Sequence, residues 1–271
     1  MGEVLRAWFV PNGSYLMEFA EDGDGGPSVE ALQAIGREIR ESLRPDALIV
    51  ASPHWQPKSA FYVDDGPQHE SFNDYPLRPA PFGRRVFAYE APGHPALAQA
   101  LLAAGRAAGL PVVPKRYGLD HGAFCPLKVM GVTLPTVPIS ISQRSSTETL
   151  RWGETIRAAV AATRLRVVVL APGNLTHRLD LRQEDEREGF FAPGARFDER
   201  VIELVTTGRT LDVDAIDPEI LRAAAPEAGN RPLFLLAGVT GNRAGRLLRY
   251  HGMKYSVGDA TFAFDPAPAA A

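Results

Sequence analysis

The sequence lacks the features that mark several large classes of protein. Its single cysteine, Cys125, excludes an internal disulfide and a zinc cluster built from thiolates, and it fits a reducing compartment. Its 29 basic and 32 acidic residues leave a net charge of −3, which indicates neither a nucleic-acid-binding surface nor a polybasic membrane patch. No run approaches the ~20 apolar residues that span a bilayer, and no signal-peptide pattern opens the chain. These absences predict a cytoplasmic protein that binds a small molecule or another protein.

Several familiar catalytic motifs are also missing. No GxGxxG fingerprint or P-loop follows a predicted strand, and no GxSxG elbow occurs, which disfavours nucleotide-binding and serine-hydrolase functions. Cys125 follows His121 by four residues, but no third residue is evident that would orient such a pair. We therefore expect Cys125 to be a buried structural thiol.

Apolar, β-branched runs alternate with helical patterns along the chain. The runs cover Val4–Val10, Ala47–Ala51, Leu134–Ile141 and Leu165–Ala171. This alternation predicts an α/β fold: a single domain over residues 1–271, with a central, mostly parallel sheet flanked by helices.

Helix signals lie between these runs. Ser28 is expected to cap a helix that Pro45 ends, and "SSTE" at 145–148 is expected to start another. The acidic, glycine-rich stretch "EDGDGGP" at 21–27 predicts a loop. The segment 61–95 is rich in Pro, Gly and aromatic residues, and loops of that length in compact domains are usually functional.

Three histidines occur where a catalytic or metal site is expected. They are His54 in "SPHW", His121 in "LDHGAF" and His177 in "GNLTHRL". His54 and His177 each follow a predicted buried strand, so they are expected at the carboxyl edge of the sheet, where ligands bind. Imidazole suits metal binding and proton transfer near neutral pH. The remaining histidines lie in loop or tail contexts and are expected to be structural: His69, His94 and His251.

These contexts, taken together, resemble a known family, the class III (LigB-type) extradiol ring-cleavage dioxygenases, and in particular its 4,5-DOPA dioxygenase-like branch. The matching stretches run in the family's order over nearly the whole chain: "ASPHW", "FNDYP", "YEAPGHPALA", "GLDHGAFCPLKVM", "VVVLAPGNLTHRL", "APEAGNRPLFLLAGV" and "GMKYSVGDATFAF". The resemblance implies an aromatic substrate, of the catechol or aminophenol type, and a role in the catabolism of aromatic compounds.

The resemblance also implies a site with one divalent metal, usually Fe(II). In the family, two histidines and a glutamate or a third histidine bind this metal. Carried over by position, His54 matches the second metal-binding histidine, and His177 matches a histidine that acts as base or lies beside the metal. His121 matches one that hydrogen-bonds substrate or oxygen, and Tyr75 of "FNDYP" is expected in the substrate pocket.

Two ligand positions depart from the family pattern. Asn12, in "VPNGS", replaces the first metal-binding histidine and is expected to lie in the substrate pocket, and Gly229 aligns with the third ligand. An amide oxygen binds Fe(II) weakly, and glycine has no side chain to offer. Glu227, two residues before Gly229, is a substitute ligand only if the backbone shifts.

The departures favour a non-catalytic subunit that holds no metal of its own. On this hypothesis the chain is similar to the metal-free alpha subunit of 2-aminophenol 1,6-dioxygenase and supports a homologous catalytic beta-type subunit that carries Fe(II). Two alternatives stay open: an active Fe(II)- or Zn-dependent dioxygenase with a rearranged metal site that uses Glu227 or His177, and a metal-free protein that binds an aromatic small molecule.

Overall fold

The structure is a computed structural model, which describes residues 1–23, 26–74, 85–181, 191–254 and 256–267. The strands are β1 Glu3–Val10, β2 Ala47–Ser52, β3 Phe61–Val63, β4 Gln68–Glu70, β5 Glu90–Pro92, β6 Val112–Pro114, β7 Thr136–Ser140, β8 Arg166–Pro172, β9 Arg246–Lys254 and β10 Val257–Phe264. The α-helices are α1 Tyr15–Asp22, α2 Gly26–Arg37, α3 Pro95–Ala107, α4 His121–Met130, α5 Ser146–Ala161, α6 Ala192–Thr206, α7 Pro218–Ala224 and α8 Arg231–Thr240. A π-helix, Glu38–Leu43, continues α2, and 3₁₀ turns occur at Leu179–Leu181, Thr210–Ala215 and Glu227–Asn230.

Eight strands form the central sheet in the order β6-β3-β7-β2-β8-β1-β10-β9. Its middle is parallel, since β2 pairs with β7 and β8, and β1 pairs with β8, in the same direction. These are the four strands that the apolar runs predict, so the predicted parallel sheet is confirmed. The hairpin β9–β10 extends the sheet in the antiparallel direction beside β1.

Both faces of the sheet are covered by helices, and alternate residues of each strand enter one of two cores. Ala7 and Phe9 of β1 pack into the core that contains residues of α3, α5, α6 and α8. Trp8 and Val10 enter the core that contains residues of α1, α2 and α4. This period of two is what a strand buried on both faces requires. It explains why the central strands read as nearly continuous apolar runs.

The helix boundaries confirm some of the capping signals and correct others. Ser145 and Glu148 form a reciprocal capping box at the start of α5, as "SSTE" predicts. Ser28, in contrast, lies inside α2, which already begins at Gly26. The helical path continues to Leu43, and Arg44 takes a left-handed conformation immediately before Pro45. Part of the predicted loop at 21–27 is helical, because α1 extends to Asp22.

No described helix combines the length and the apolar character that crossing a membrane requires. Two of the histidines expected in loop or tail contexts lie in strands, His69 in β4 and His251 in β9. His94 caps the start of α3, where its Nδ1 accepts a hydrogen bond from the backbone of Leu97 at 3.1 Å.

A buried carboxylate, Asp64, accepts hydrogen bonds from two separate segments of the chain. Its oxygens accept backbone hydrogen bonds from Gly66, Tyr117 and Gly118 at 2.7–2.9 Å, and His69 lies 3.6 Å away. Burial opposes its ionisation, but the contact with His69 and the backbone donors outweigh burial and lower the pKa of Asp64 to about 2. Asp64 thereby joins the turn after β3 to the segment before α4.

We expect Asp64→Asn to lower the free energy of unfolding by about 2 kcal/mol at neutral pH. Because the pKa of Asp64 is lower in the folded state, its stabilisation is present above its ordinary pKa and is lost as the pH falls toward 2. The difference between wild type and variant should therefore shrink in acid. Urea unfolding at pH 7 and at pH 3 measures it. Asp65→Asn, which changes a neighbouring, more exposed carboxylate, serves as the control, and an equal loss in both variants would contradict the prediction.

Candidate metal centre and catalytic site

Side chains from distant parts of the chain meet where the parallel strands end. Asn12 follows β1, His54 follows β2, and Asn174 follows β8, and these strands are neighbours in the sheet. Glu227 joins them from the 3₁₀ turn before α8. The carboxyl edge of a parallel sheet is where such loops converge on a ligand.

Glu227 is the centre of this group. Its carboxylate lies 3.0 Å from Nε2 of His54 and accepts hydrogen bonds from the amide of Asn12, at 3.2 Å to each oxygen, and from the amide of Asn174 at 2.9 Å. Asn174 also donates to the amide oxygen of Asn12 at 2.8 Å. Glu227, Asn12 and Asn174 are all buried.

A left-handed turn aims Glu227 at the site. Ala228, Gly229 and Asn230 have φ of 48°, 60° and 60°, a conformation that costs energy for residues other than glycine. Arg231 fixes the turn by donating to the carbonyl of Ala228 at 2.7 Å. A Cβ on Gly229 would meet the Arg231 guanidinium at 2.9 Å. Glu227 therefore faces His54, whereas the side-chain direction of Gly229 faces Arg231.

Asp74 connects His54 to His121. Its Oδ2 lies 3.0 Å from Nδ1 of His54, and its Oδ1 accepts a hydrogen bond from the backbone N–H of His121 at 3.0 Å and contacts Nδ1 of the same residue. The two imidazole rings lie 4.2 Å apart, centroid to centroid. His121 is the first residue of α4, and Asp120 caps that helix through the backbone N–H of Ala123. The structure thus brings two of the three predicted histidines together.

The carboxylates determine the charge of His54. Burial disfavours its protonated form, but hydrogen bonds to Asp74 and Glu227 outweigh burial and raise the pKa of His54 to about 10. Burial likewise opposes ionisation of Glu227, yet the contact with His54 and the charge of His177 lower its pKa to about 2. Against the same effect of burial, His121 and His54 hold the pKa of Asp74 well below its usual range. In the absence of a metal, a protonated His54 lies between two ionised carboxylates, Asp74 and Glu227.

His177, the third predicted histidine, lies close enough to Glu227 to act on its charge. It forms a β-bridge with Val257, and its backbone N–H donates to Ala224 at 2.9 Å. The preceding residue, Thr176, is fixed by the buried Asp198, which accepts from its backbone N–H at 2.9 Å and its hydroxyl at 2.8 Å. Tyr75, the remaining predicted pocket residue, lies outside the described residues.

Another buried carboxylate, Asp120, holds together the residues beside the site. It accepts hydrogen bonds from the hydroxyls of Ser52 at 2.6 Å and Tyr117 at 2.8 Å. Burial raises the pKa of Asp120, against the charge of His54. The Tyr117 ring stacks on Trp55 at 4.2 Å. These contacts hold the start of α4 against the end of β2, next to His54 and His121.

The family described as "Catalytic LigB subunit of aromatic ring-opening dioxygenase" matches residues 14–264. The chain belongs to this family. The resemblance to the class III (LigB-type) extradiol dioxygenase family that was seen in the sequence is confirmed.

Individual relatives of this LigB-family chain agree with the assignment. It is 30% identical over 181 residues to 4,5-DOPA dioxygenase extradiol of Beta vulgaris, a match that covers 64% of this chain and 63% of that protein. A 4,5-DOPA dioxygenase extradiol-like protein of Schizosaccharomyces pombe is 24% identical over 177 residues, 57% of each chain. The chain thus matches less than two thirds of the length of either relative.

A solved structure shares the fold of the LigB-family chain. The uncharacterized protein JW3007 of Escherichia coli K12 superposes with a TM-score of 0.72 at 20% identity, covering 96% of this chain and 99% of that one. At this identity the likeness shows the fold alone.

The donor atoms of this LigB-family site fit a divalent ion. Nε2 of His54 and a carboxylate oxygen of Glu227 are adjacent, and imidazole with carboxylate is a donor set typical of non-haem iron. Asn12 presents its NH₂ group to Glu227, while the buried amide oxygen of Asn174 has no hydrogen-bond partner among the described residues. The amide oxygen of Asn12 accepts from Asn174 at 2.8 Å, so it faces an ion beside Glu227 only if the Asn12 amide turns over and gives up its hydrogen bonds to that carboxylate.

A second group of donor atoms overlaps the first. Among the described residues, one group of three side chains has potential ligand atoms that all lie within 4.8 Å of one another: His54, Asp74 and His121. Asp74 and Asn174 have no motif of their own and were not predicted as site residues. Their positions gave the available signals, since Asp74 lies in the matched stretch "FNDYP" and Asn174 in "GNLTHRL".

Proposed function

We propose that this chain is a metal-dependent extradiol-type dioxygenase that opens a catechol or aminophenol ring. In this proposal His54 and Glu227 hold the ion, and the amide of Asn12 is a weaker third donor. The observation that carries the proposal is the contact of 3.0 Å between Nε2 of His54 and the Glu227 carboxylate. It supports the rearranged site because Glu227 reaches His54 through the left-handed turn, without a further shift of the backbone.

Bound Fe(II) would supply open positions at which vicinal oxygen or nitrogen atoms of the ring and dioxygen come together. The protein's own residues do the rest. His121, held by Asp74 beside His54, accepts a proton from the substrate hydroxyl. His177, which lies near Glu227, is a second proton carrier in this proposal. The retained pair of histidines favours catalysis over a purely structural role.

A second function is favoured by one observation, the neutral amide of Asn12 in the place of the first metal-binding histidine. On this alternative the chain is a non-catalytic alpha-type subunit, and a homologous beta-type subunit carries Fe(II). The internal pairing of Glu227 with His54, Asn12 and Asn174 supports it, because the buried charge is neutralised without an ion.

Metal analysis and oxygen uptake distinguish these functions. We expect the purified chain, loaded anaerobically with Fe(II) and desalted, to retain about one equivalent of iron and to consume oxygen with catechol or 2-aminophenol. The reason is the two conventional donors in contact at the site. Iron at background level, with no oxygen uptake, would contradict the catalytic proposal.

The control for the alternative is co-expression with a homologue that has the full ligand set. A stable hetero-oligomer that is active, beside an isolated chain that is not, would favour the alpha-type subunit. If the isolated chain holds no iron but still binds the aromatic compound in calorimetry, the remaining alternative is favoured: a metal-free protein that binds an aromatic small molecule.

A further inference from the structure

Asp74 joins two histidines that have different roles in the proposed function. One carboxylate oxygen contacts Nδ1 of His54 at 3.0 Å, and the other contacts Nδ1 of His121 and accepts from its backbone N–H. The side chains of Asp74, His54 and His121 are 24%, 21% and 16% exposed, so most of each side chain is covered although the contacts lie at the edge of the site. Exposed ion pairs contribute little, but shielded charge-assisted hydrogen bonds restrict geometry strongly.

The contacts determine which nitrogen of His54 is available to a metal. Because Asp74 occupies Nδ1, His54 directs Nε2 at Glu227. Metal-binding histidines commonly donate the other ring N–H to a carboxylate, which fixes the tautomer and the ring orientation. The same carboxylate holds the His121 ring 4.2 Å from the His54 ring. A change at Asp74 therefore reaches both rings at once.

We propose that Asp74 is a positioning residue that holds His54 ready for the metal and His121 ready for the substrate proton. The expected effects on metal binding and on the substrate proton rest on the proposed function. The orientation of the two imidazole rings rests only on their hydrogen bonds to Asp74. Asp74 does not touch the ion; it acts through the two imidazoles.

The test compares Asp74→Asn with Asp74→Glu and with a matched control. Asp65→Asn removes a carboxylate of nearly equal exposure, 23%, that pairs with Arg116 and Gln99 instead of with the site. In the metal-free protein, NMR of ¹⁵N-histidine-labelled samples reports the hydrogen-bonded Nδ1 protons. Their resonances are assigned by their loss in His54→Phe and His121→Phe. We expect both resonances to shift or disappear in Asp74→Asn and to persist in Asp65→Asn.

The second measurement is anaerobic Fe(II) titration of the same variants. Losing an outer-shell partner of a metal-binding histidine typically lowers metal affinity by about 10- to 100-fold, and we expect a loss of this size in Asp74→Asn. Asp74→Glu keeps the charge and should recover part of the affinity. Asp65→Asn should bind iron as wild type does. If Asp74→Asn does not fold, as judged by circular dichroism, Asp74→Glu is compared with wild type in both measurements.

The two measurements separate failure of this inference from failure of the proposed function. If wild type binds no iron, the proposed function fails, and the Nδ1 resonances alone decide whether Asp74 orients the rings. Unchanged resonances, or unchanged iron affinity in a wild type that binds iron, would overturn the positioning role. Iron binding that Asp74→Asn abolishes but Glu227→Gln leaves intact would make Asp74 a direct ligand with His54 and His121, which would also overturn it.

Discussion

Asn12→His is expected to raise the affinity of the chain for Fe(II) by more than the roughly 10- to 100-fold that an outer-shell partner contributes. The variant adds an imidazole, a strong donor, beside His54 and Glu227, and so completes two histidines and one carboxylate. Sequence alignment alone predicts that Gly229→Glu is needed as well. On the proposed site that second change is not needed, because Glu227 already contacts His54 and Asn12.

Anaerobic titration of wild type, Asn12→His and Gly229→Glu measures this effect. Gly229→Glu is expected to gain nothing, since its new side chain would face Arg231 and strain a residue at φ 60°. Asn12 is buried, so thermal melting must first show that Asn12→His folds. A folded Asn12→His that binds no more iron than wild type, or a gain confined to Gly229→Glu, would refute this assignment of the site.

Glu227→Gln is expected to remove iron binding and to destabilise the metal-free protein by about 3 kcal/mol near pH 5.5. The variant keeps the shape of the side chain but leaves the protonated His54 without its buried partner. The lowered pKa of Glu227 makes its stabilisation present above its ordinary pKa, and it is lost as the pH falls toward about 2. The raised pKa of His54 makes its stabilisation fully present below its ordinary pKa, and it is lost as the pH rises through about 10.

The destabilisation should therefore be largest between the ordinary pKa values of the two groups, should shrink as the pH rises toward 10, and should be small above it. Urea unfolding of metal-free protein across this range tests it. Glu219→Gln, on the exposed surface of α7, provides the control and should change stability little at any pH. A Glu227→Gln profile that runs parallel to wild type at every pH would mean that the ion pair does not contribute.

The parallel sheet was predictable because its strands are buried on both faces. A continuous apolar run as short as Val167–Leu170 fits few structures other than a strand that is buried on both faces. The hairpin β9–β10 was not predicted, since Arg246, Arg249 and Lys254 interrupt the apolar pattern of its edge strand. Edge strands carry such charges because one side of them faces water.

The site was predictable only in part. His54 and His121 come together as expected. His54 follows β2 and His121 begins α4, and the sheet determines the positions of these elements. The direction of Glu227 was not predictable, because it depends on successive left-handed residues, and two of these, Ala228 and Asn230, are not glycine. The family pattern places the third ligand shortly before the apolar run "PLFLLAGV", where Gly229 aligns, and it carries no information on the direction of Glu227. The one signal from Asp74 was its place in "FNDYP", because its partners are identified only in three dimensions.

The wide spacing of the site residues along the chain has a consequence for protein synthesis. His54 and Glu227 are separated by 173 residues, and Asn12 and Glu227 by 215. At about 5–20 residues per second, a ribosome needs roughly 9 to 35 s to pass from His54 to Glu227. Throughout this interval the nascent chain carries His54 without the carboxylate that pairs with it. An emerging chain therefore cannot form this pair until residue 227 has been made, so a metal that needs both residues binds only after that point.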